Sequence, residues 1–269
     1  MFNLHIHTYD KAGVNVPKIR SMQRNIGKMI TKSYSFQNIG KITLGFGHYS
    51  GLITIGNNVF ALHTDGVGTK VLVAQQMKCF DTIGIDCIAM NVNDIICTGA
   101  HPFAFVDYIA LKKVNDELVK KVMKGLLTGA KAARIAIVGG ETAVVPELLA
   151  GESEEMFDLS GTALGMTQNN KLILGNKIKI GDIILGLESS GLHSNGYTLA
   201  RKVLSKYSAD EIPEFITKPV GEELLTPTRI YVRPIMELIK DRKITIHGLA
   251  HITGGSFTKL KRLNNKVRY

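Results

Sequence analysis

The sequence lacks tryptophan, is poor in cysteine and has no long hydrophobic run. Its cysteines, Cys79, Cys87 and Cys97, form no CxxC pair, which excludes a zinc ribbon or a disulfide scaffold and fits the cytoplasm. Three buried apolar side chains are the favoured interpretation of these thiols. Because no stretch of about 18 apolar residues occurs, no membrane span is predicted. Residues 1–10, MFNLHIHTYD, lack the basic start and the apolar stretch of a signal peptide.

Acidic residues are scarce at both ends of the 269-residue chain, where its formal net charge of +10 is concentrated. Residues 1–41 hold seven Lys and Arg against one acid, a net +6, and residues 259–269 hold five against none. Residues 42–258 are nearly neutral. A sequence-specific nucleic-acid-binding protein typically pairs a basic face with a recognisable motif, and no RNP, zinc-finger or basic-zipper pattern occurs. We therefore expect no nucleic-acid partner.

The apolar pattern predicts helices that alternate with strands, which is typical of an α/β fold. The polar run 168–170 divides the chain into two predicted units, an N-terminal lobe at 1–167 and a C-terminal lobe at 168–269. The predicted helices lie at 17–33, 81–98, 116–133, 195–206 and 228–240, and the predicted strands at 53–55, 59–63, 103–111, 135–138, 159–166, 182–187 and 244–249.

The helix predicted at 81–98 carries carboxylates and amides without any Lys or Arg. At about 100° per residue, Asp86 and Asn93 lie close together beside the apolar stripe, and Asp94 follows. A polar face without cations indicates that a metal ion supplies the positive charge. A face that caps and hydrogen-bonds to neighbouring backbone remains an equal alternative.

The run HTDGVGTK at 63–70 ends a predicted strand and opens a helix. Gly66 and Gly68 allow a tight backbone whose N–H groups can face phosphate. Asp65 is then a candidate magnesium ligand and Lys70 a candidate phosphate contact. The spacing does not match the Walker A pattern, and an ordinary strand–turn–helix explains the same residues.

Two further polar runs follow predicted strands. Gly139 and Gly140 precede Glu141 and Thr142 at a strand end, where ligands gather in α/β sheets. Glu141 suits a third magnesium carboxylate beside Asp65 and Asp94, and the alternative is a turn with a helix cap.

The run GLHSNGY at 191–197 lies between a predicted strand and a predicted helix. In it His193, Ser194 and Asn195 could face a polar ligand, although Ser194 or Asn195 could simply be the N-cap of the helix. His48 stands in a glycine-rich loop, and His247 and His251 are interpreted as structural.

Taken in order, these motifs resemble the aminoimidazole ribonucleotide synthetase family, also called phosphoribosylformylglycinamidine cyclo-ligases. The ordered set covers nearly the whole chain and is highly specific. The matching runs are YDKAGV at 9–14, TDGVGTK at 64–70, DTIGID at 81–86, AMNVNDIICTGAHP at 89–102, DY at 107–108, GGETA at 139–143, GLHSNGYTLAR at 191–201, PTRIY at 227–231 and HITGGSF at 251–257.

The resemblance implies an enzyme of purine biosynthesis. Formylglycinamidine ribonucleotide and ATP would give aminoimidazole ribonucleotide, ADP and phosphate through an iminophosphate intermediate. Magnesium–ATP would be held by Asp65, Asp94 and Glu141, with Asp86 and Asn93 in support. Phosphate contacts would come from Gly66, Gly68, Thr69, Lys70, Gly139, Gly140 and Thr142. His193, Ser194 and Asn195 would meet the ribonucleotide, and His48 would act as an acid, a base or a substrate contact.

The same resemblance implies a two-lobe α/β fold in a cytoplasmic homodimer. In such enzymes the N-terminal lobe has a mixed sheet, flanked by helices, that closes a barrel with its partner, and ATP lies near that interface. Val144 and Ser256 depart from the family pattern, which also continues beyond HITGGSF, so an incomplete C-terminal lobe is predicted. The alternatives are a related ATP-dependent synthetase or kinase, and a non-catalytic nucleotide-binding remnant.

Overall fold

The structure is a computed structural model that describes residues 8–269; most of the segment assessed as a signal peptide lies outside them. Six strands form one mixed sheet in the order β1-β2-β3-β6-β4-β5, in which β4 and β5 are parallel and the other pairs antiparallel. The α/β class is therefore confirmed. The strands are β1 Lys41–Leu44, β2 Gly51–Ile55, β3 Asn58–Gly66, β4 His101–Leu111, β5 Ala136–Val144 and β6 Phe157–Gln168.

The two longest helices, α1 and α4, each begin after an asparagine cap. Asn15 caps α1 by accepting a hydrogen bond from the Lys18 amide at 2.9 Å, and Asn115 caps α4 from the Leu118 amide at 3.0 Å. None of the helices in residues 8–269 has the length and apolar character needed to span a bilayer. The helices are α1 Val16–Ile30, α2 Val71–Met77, α3 Ile83–Ile96, α4 Asp116–Ala133, α5 Tyr197–Leu204, α6 Val220–Leu225 and α7 Val232–Lys240, with 3-10 turns at Thr31–Ser35, Gly68–Lys70, Asn169–Lys171 and Ser256–Arg262.

The core lies between one face of the sheet and helix α3, which is buried along almost its whole length. Glycines let α4 pack closely behind it. A Cβ atom on Gly84 would lie within 3.0 Å of the Leu126 amide nitrogen, and one on Gly125 would meet the Asp81 carbonyl. Close packing of α3 fixes the direction in which its polar residues point.

The other face of the sheet carries large apolar side chains that are about two-fifths exposed. Val106 and Tyr108 stand near its centre on β4. We call this set the exposed sheet face: Leu62, Phe103, Val106, Tyr108 and Met166. Several large apolar side chains exposed on one face are typical of an interface.

Strand β5 corrects the prediction of a buried strand at 135–138 that ends before Gly139. The strand runs on to Val144, and Gly139, Gly140, Glu141 and Thr142 lie within it, paired with β4. It is largely exposed because it is the edge of the sheet. A side chain at Gly140 would collide with the Asp107 carboxylate, which accounts for glycine there.

Residues 182–187 and 244–249, predicted as strands, are not strands in the structure, and no strand is found in described residues 169–269. A strand forms only where a neighbour satisfies its backbone N–H and C=O groups. Ile180, Ile183 and Leu185 are accordingly 97%, 85% and 82% exposed. The boundary between 167 and 168 falls at the end of β6, and the division into two lobes stays a prediction.

Candidate active site

Asp94, near the end of α3, is the centre of a cluster of charged groups. Its Oδ1 atom lies 2.7 Å from His251 Nδ1, and its Oδ2 atom lies 3.5 Å from Nε2 of His63 on β3. Burial acts to raise the pKa of Asp94, but the hydrogen bond and charge of His251, with His63 and Lys259, outweigh it and hold the pKa below its usual value. Asp94 is therefore a carboxylate at neutral pH.

Asp65 joins this cluster because it lies two residues after His63 on β3, and alternate residues of a strand share a face. Its Oδ1 atom accepts a hydrogen bond from the Gly66 amide at 2.8 Å. Burial, aided by the charge of Asp94, raises the pKa of Asp65 against the opposing effects of His63, the Gly66 amide and Lys259. The two acids predicted from separate motifs thus interact electrostatically.

The cation of this cluster is Lys259, which the sequence interpretation missed. It lies in the 3-10 helix Ser256–Arg262; its ammonium group hydrogen-bonds to Thr253 and stands 6.0 Å from the centre of the Tyr49 ring. Burial lowers the pKa of Lys259, while the charges of Asp94 and Asp65 oppose that effect. The sequence offers only its place close after the Gly254-Gly255 turn, which does not distinguish it from the other lysines of the basic tail.

Two histidines of the cluster were also missed as functional residues. His251, interpreted as structural, is 6% exposed, and its Nε2 atom is buried without a hydrogen-bond partner in the described part of the chain. His63 begins the run at 63–70, to which the sequence interpretation assigns a role only from Asp65 onward. The shared strand face of His63 and Asp65 could have indicated it.

The loop before α5 brings His193 to the same place, with its ring centre 6.5 Å from that of His251. The Ser190 amide donates to His193 Nε2 at 3.2 Å, so the proton of the neutral ring lies on Nδ1. Burial, followed by the charges of His251, Lys70 and Arg229, lowers the pKa of His193 to about 4. His193 is therefore a neutral imidazole at pH 7.

The N-cap interpretation of Ser194 and Asn195 is wrong. Gly196 precedes α5 as its cap without any side-chain bond. Ser194 Oγ instead donates to the Val67 carbonyl at 3.2 Å, and Asn195 Nδ2 stands 3.5 Å from the Met90 sulfur. The 193–195 loop is thereby attached to the residues around β3 and α3. Thr69 adds a contact at 3.2 Å between its hydroxyl and that of Thr198.

Lys70 and Asp86 depart from the predicted magnesium–ATP role. Both side chains are fully buried, and Lys70 Nζ lies 2.8 Å from Asp86 Oδ2. Burial lowers the pKa of Lys70 and raises that of Asp86, and each charge opposes the effect on the other. Because the ammonium is enclosed, it offers no surface to a phosphate in this structure.

Asn93 likewise contacts protein rather than an open site. Its Nδ2 group donates to the Arg229 carbonyl at 2.9 Å, and its Oδ1 atom accepts from the Tyr231 amide at 3.0 Å. This result favours the alternative of a hydrogen-bonding helix face for Asp86 and Asn93. Of the three polar residues on that face, Asp94 is the one at the charged cluster.

Glu141 is not brought to Asp65 and Asp94 within one chain. It aligns across the sheet with Tyr108, Ser160 and Gly66, one row away from Asp65, so it lies on the opposite sheet face. Among residues 8–269 no three His, Cys, Asp or Glu side chains are grouped closely enough to bind a metal. Gly139, Gly140 and Thr142 share its edge strand.

His48 lies in the loop between β1 and β2, where its ring packs edge-on against Tyr49 at 5.4 Å. Burial lowers the pKa of His48, which favours the neutral ring.

Gly68 begins the 3-10 turn that follows Gly66. This position needs glycine because its φ is +68°.

Carboxylates, histidines and a lysine are grouped beside a mixed α/β sheet, an arrangement typical of the active site of an α/β enzyme. Two family profiles match: AIR synthase related protein, N-terminal domain, at 47–167, and its C-terminal domain at 179–266. A relative from Pyrococcus furiosus named phosphoribosylformylglycinamidine cyclo-ligase is 52% identical over 261 residues, 96% of this chain and 75% of the relative. The chain belongs to the phosphoribosylformylglycinamidine cyclo-ligase family.

Solved structures share the fold at low sequence identity. AaThiL complexed with AMPPCP and TMP gives a TM-score of 0.55 at 17% identity, covering 79% of this chain and 61% of that one. Hydrogenase maturation protein HypE in complex with ATP gives 0.53 at 22% identity, covering 76% and 55%. These similarities support the α/β class and do not indicate which reaction the chain catalyses.

Proposed function

We propose that the chain catalyses the ATP-dependent cyclisation of formylglycinamidine ribonucleotide to aminoimidazole ribonucleotide, a step of purine biosynthesis. The observation that carries the proposal is the 52% identity to the Pyrococcus furiosus cyclo-ligase over 96% of this chain. The acidic and basic groups around Asp94 supply a site of the matching kind. The three unpaired thiols of the described chain fit a cytoplasmic enzyme.

The proposed reaction needs charge neutralisation more than a strong nucleophile. ATP phosphorylates the formyl oxygen, an amidine nitrogen attacks the resulting iminophosphate carbon, and phosphate leaves as the imidazole ring closes. Lys259 would contact the transferred phosphate, because its buried ammonium group beside Thr253 is a cation whose pKa burial lowers and the charges of Asp94 and Asp65 raise. His193 would donate a hydrogen bond from its Nδ1–H group to the ribonucleotide, because its Nε2 already accepts from Ser190.

The donor set fits magnesium, which is usually held by one or two carboxylates together with phosphate oxygens and water. Asp65 and Asp94 would hold the ion, which would neutralise phosphate charge. Asp94 would exchange its contact with His63 at 3.5 Å for that role, while His251 keeps the other oxygen at 2.7 Å. Glu141 lies on the opposite face of the sheet and would not bind this ion within the same chain.

A second copy of the chain is the proposed partner, bound through the exposed sheet face. Val106, Tyr108 and Met166 are apolar and about two-fifths exposed there, as expected of side chains that a partner covers. Closure of a barrel by the two sheets would also cover the edge strand β5.

The test is an assay of the purified protein for both ADP and aminoimidazole ribonucleotide. Asp94→Asn should lower kcat by about 100-fold or more, because it removes a carboxylate where charge is neutralised. Exposed Lys120→Met is the matched control. ATP consumption with thiamine monophosphate instead of the formylglycinamidine substrate would support the related-kinase alternative. Binding of an ATP analogue without any turnover would support a non-catalytic nucleotide-binding remnant.

A further inference from the structure

Two fully buried charges join segments of the chain that are far apart in sequence. Lys70 precedes α2, and Asp86 lies on α3. Their partners include His193, Thr226 and Thr228, which are more than a hundred residues away. Burying a charge without a partner costs a large free energy. The hydrogen bonds of such a pair therefore constrain the positions of the residues that make them.

The Lys70 ammonium has three N–H groups, and the structure gives it three acceptors. These are Asp86 Oδ2 at 2.8 Å, the His193 carbonyl at 3.0 Å and the Thr226 carbonyl at 2.8 Å. The ring of Tyr197, on α5, lies 5.5 Å from the same nitrogen. The ammonium group is therefore saturated by the protein itself.

Asp86 holds the next part of the same segment. Its Oδ1 atom accepts from both the amide of Thr228, at 2.8 Å, and its hydroxyl, at 2.6 Å. Thr228 is 2% exposed, so these bonds have no competition from bulk water. Lys70 and Asp86 thus fix both the 193–195 loop and the 226–228 segment against the N-terminal helices.

The backbone of His193 is held directly by this attachment. Its φ of +60° lies in the left-handed region, which is uncommon for residues other than glycine, and the carbonyl that Lys70 bonds is its own. A backbone held in this conformation needs surrounding contacts that specify it. The bond from Lys70 is such a contact.

We propose that Lys70 and Asp86 are positioning residues, which hold the His193 loop beside Asp94 and do not bind ATP phosphate. The inference rests on the proposed function for its catalytic consequence, but its structural consequence is independent of any turnover. Loss of the lysine would free the loop while leaving Asp65, Asp94 and Lys259 in place. We therefore expect loss of the lysine to reduce the order of the loop and to leave the affinity for nucleotide nearly unchanged.

The experiment compares Lys70→Met, Asp86→Asn and the double variant Lys70→Met/Asp86→Asn, with exposed Lys120→Met as control. Hydrogen exchange is measured on peptides covering 190–198, 226–231 and α4, and titration with magnesium and a nonhydrolysable ATP analogue gives Kd. In Lys70→Met we expect exchange of the first two peptides to rise by about tenfold, with α4 unchanged. The Kd should change by less than about threefold, while kcat falls by about 100-fold.

The double variant keeps the inference testable if a lone buried charge prevents folding. It is neutral at both positions, yet the carbonyls of His193 and Thr226 still lack their donor, so raised exchange in both segments is again expected. A Kd that rises by about tenfold or more while exchange stays at the wild-type level would overturn the inference in favour of a phosphate ligand. Unchanged exchange in the double variant would overturn it as well. If wild-type protein makes no aminoimidazole ribonucleotide but the exchange result holds, the proposed function fails and the positioning role stands.

Discussion

At the scale of single residues, His193 combines a left-handed backbone with a neutral ring. Its pKa of about 4 in the folded chain lies below the ordinary value of 6.5. Between these values the unfolded chain binds more protons at His193 than the folded chain does, so this residue makes stability fall as pH decreases from 6.5 to 4.

His193→Asn should flatten that dependence, because asparagine accepts a positive φ and does not titrate. The measurement is the midpoint of thermal unfolding at several pH values from 7 to 4, for wild type and variant. The variant should lose less stability over this interval than wild type. Parallel curves would show that His193 is not the responsible group.

The identity of the lysine at the site is the residue-scale fact that the sequence could not supply. Lys70 follows a glycine-rich turn and fits a phosphate contact by pattern, whereas Lys259 stands in a basic tail with no motif of its own. Which of them lies beside the charged cluster around Asp94 depends on long-range packing. Asp65 and Asp94, predicted as magnesium ligands together with Glu141, lie in one charged cluster because each follows or lies on a strongly patterned element, and their role there stays a prediction.

At the scale of secondary-structure elements, the sequence predicts best where an element contains its own evidence. Helix α4 matches its predicted bounds, 116–133, because its periodicity and Asn115 cap are local. The segments at 182–187 and 244–249 have strand-like sequences, but a strand also needs a neighbour, and none is provided in the described residues. The sequence predicts that the glycines of β5 follow a strand end, whereas pairing with β4 overrides their low preference for a strand and keeps them within it.

The close approach of α3 and α4 gives a prediction at this scale. Gly84→Ala should lower the free energy of unfolding by about 1–3 kcal/mol, despite alanine's better helix propensity, because its methyl group would meet the backbone of α4. Urea denaturation measures the change. Gly139→Ala is the control, since the nearest atom to its Cβ would be 3.9 Å away. Equal stability of the two variants would contradict this account of the packing.

At the scale of the whole molecule, one sheet face is covered by α3 and the other is exposed. A mixed sheet needs cover on its apolar surfaces, and the helices within residues 8–269 supply it on one side alone. Glu141 lies on the exposed side, away from Asp65 and Asp94. This arrangement explains why the three predicted magnesium ligands, Asp65, Asp94 and Glu141, do not come together within one chain.

A second copy on the exposed sheet face leads to the whole-molecule prediction. Val106→Glu should convert a dimer into monomers, because the interface would have to bury an unpaired charge at a cost of several kcal/mol. Sedimentation equilibrium over a range of protein concentrations measures the association. Leu127→Glu is the matched control: Leu127 is 61% exposed but lies on α4, behind α3 and away from the exposed sheet face, so this variant should remain dimeric. A wild-type protein that stays monomeric at every concentration, or a Val106→Glu variant that associates as wild type does, would remove the sheet face as the dimer interface.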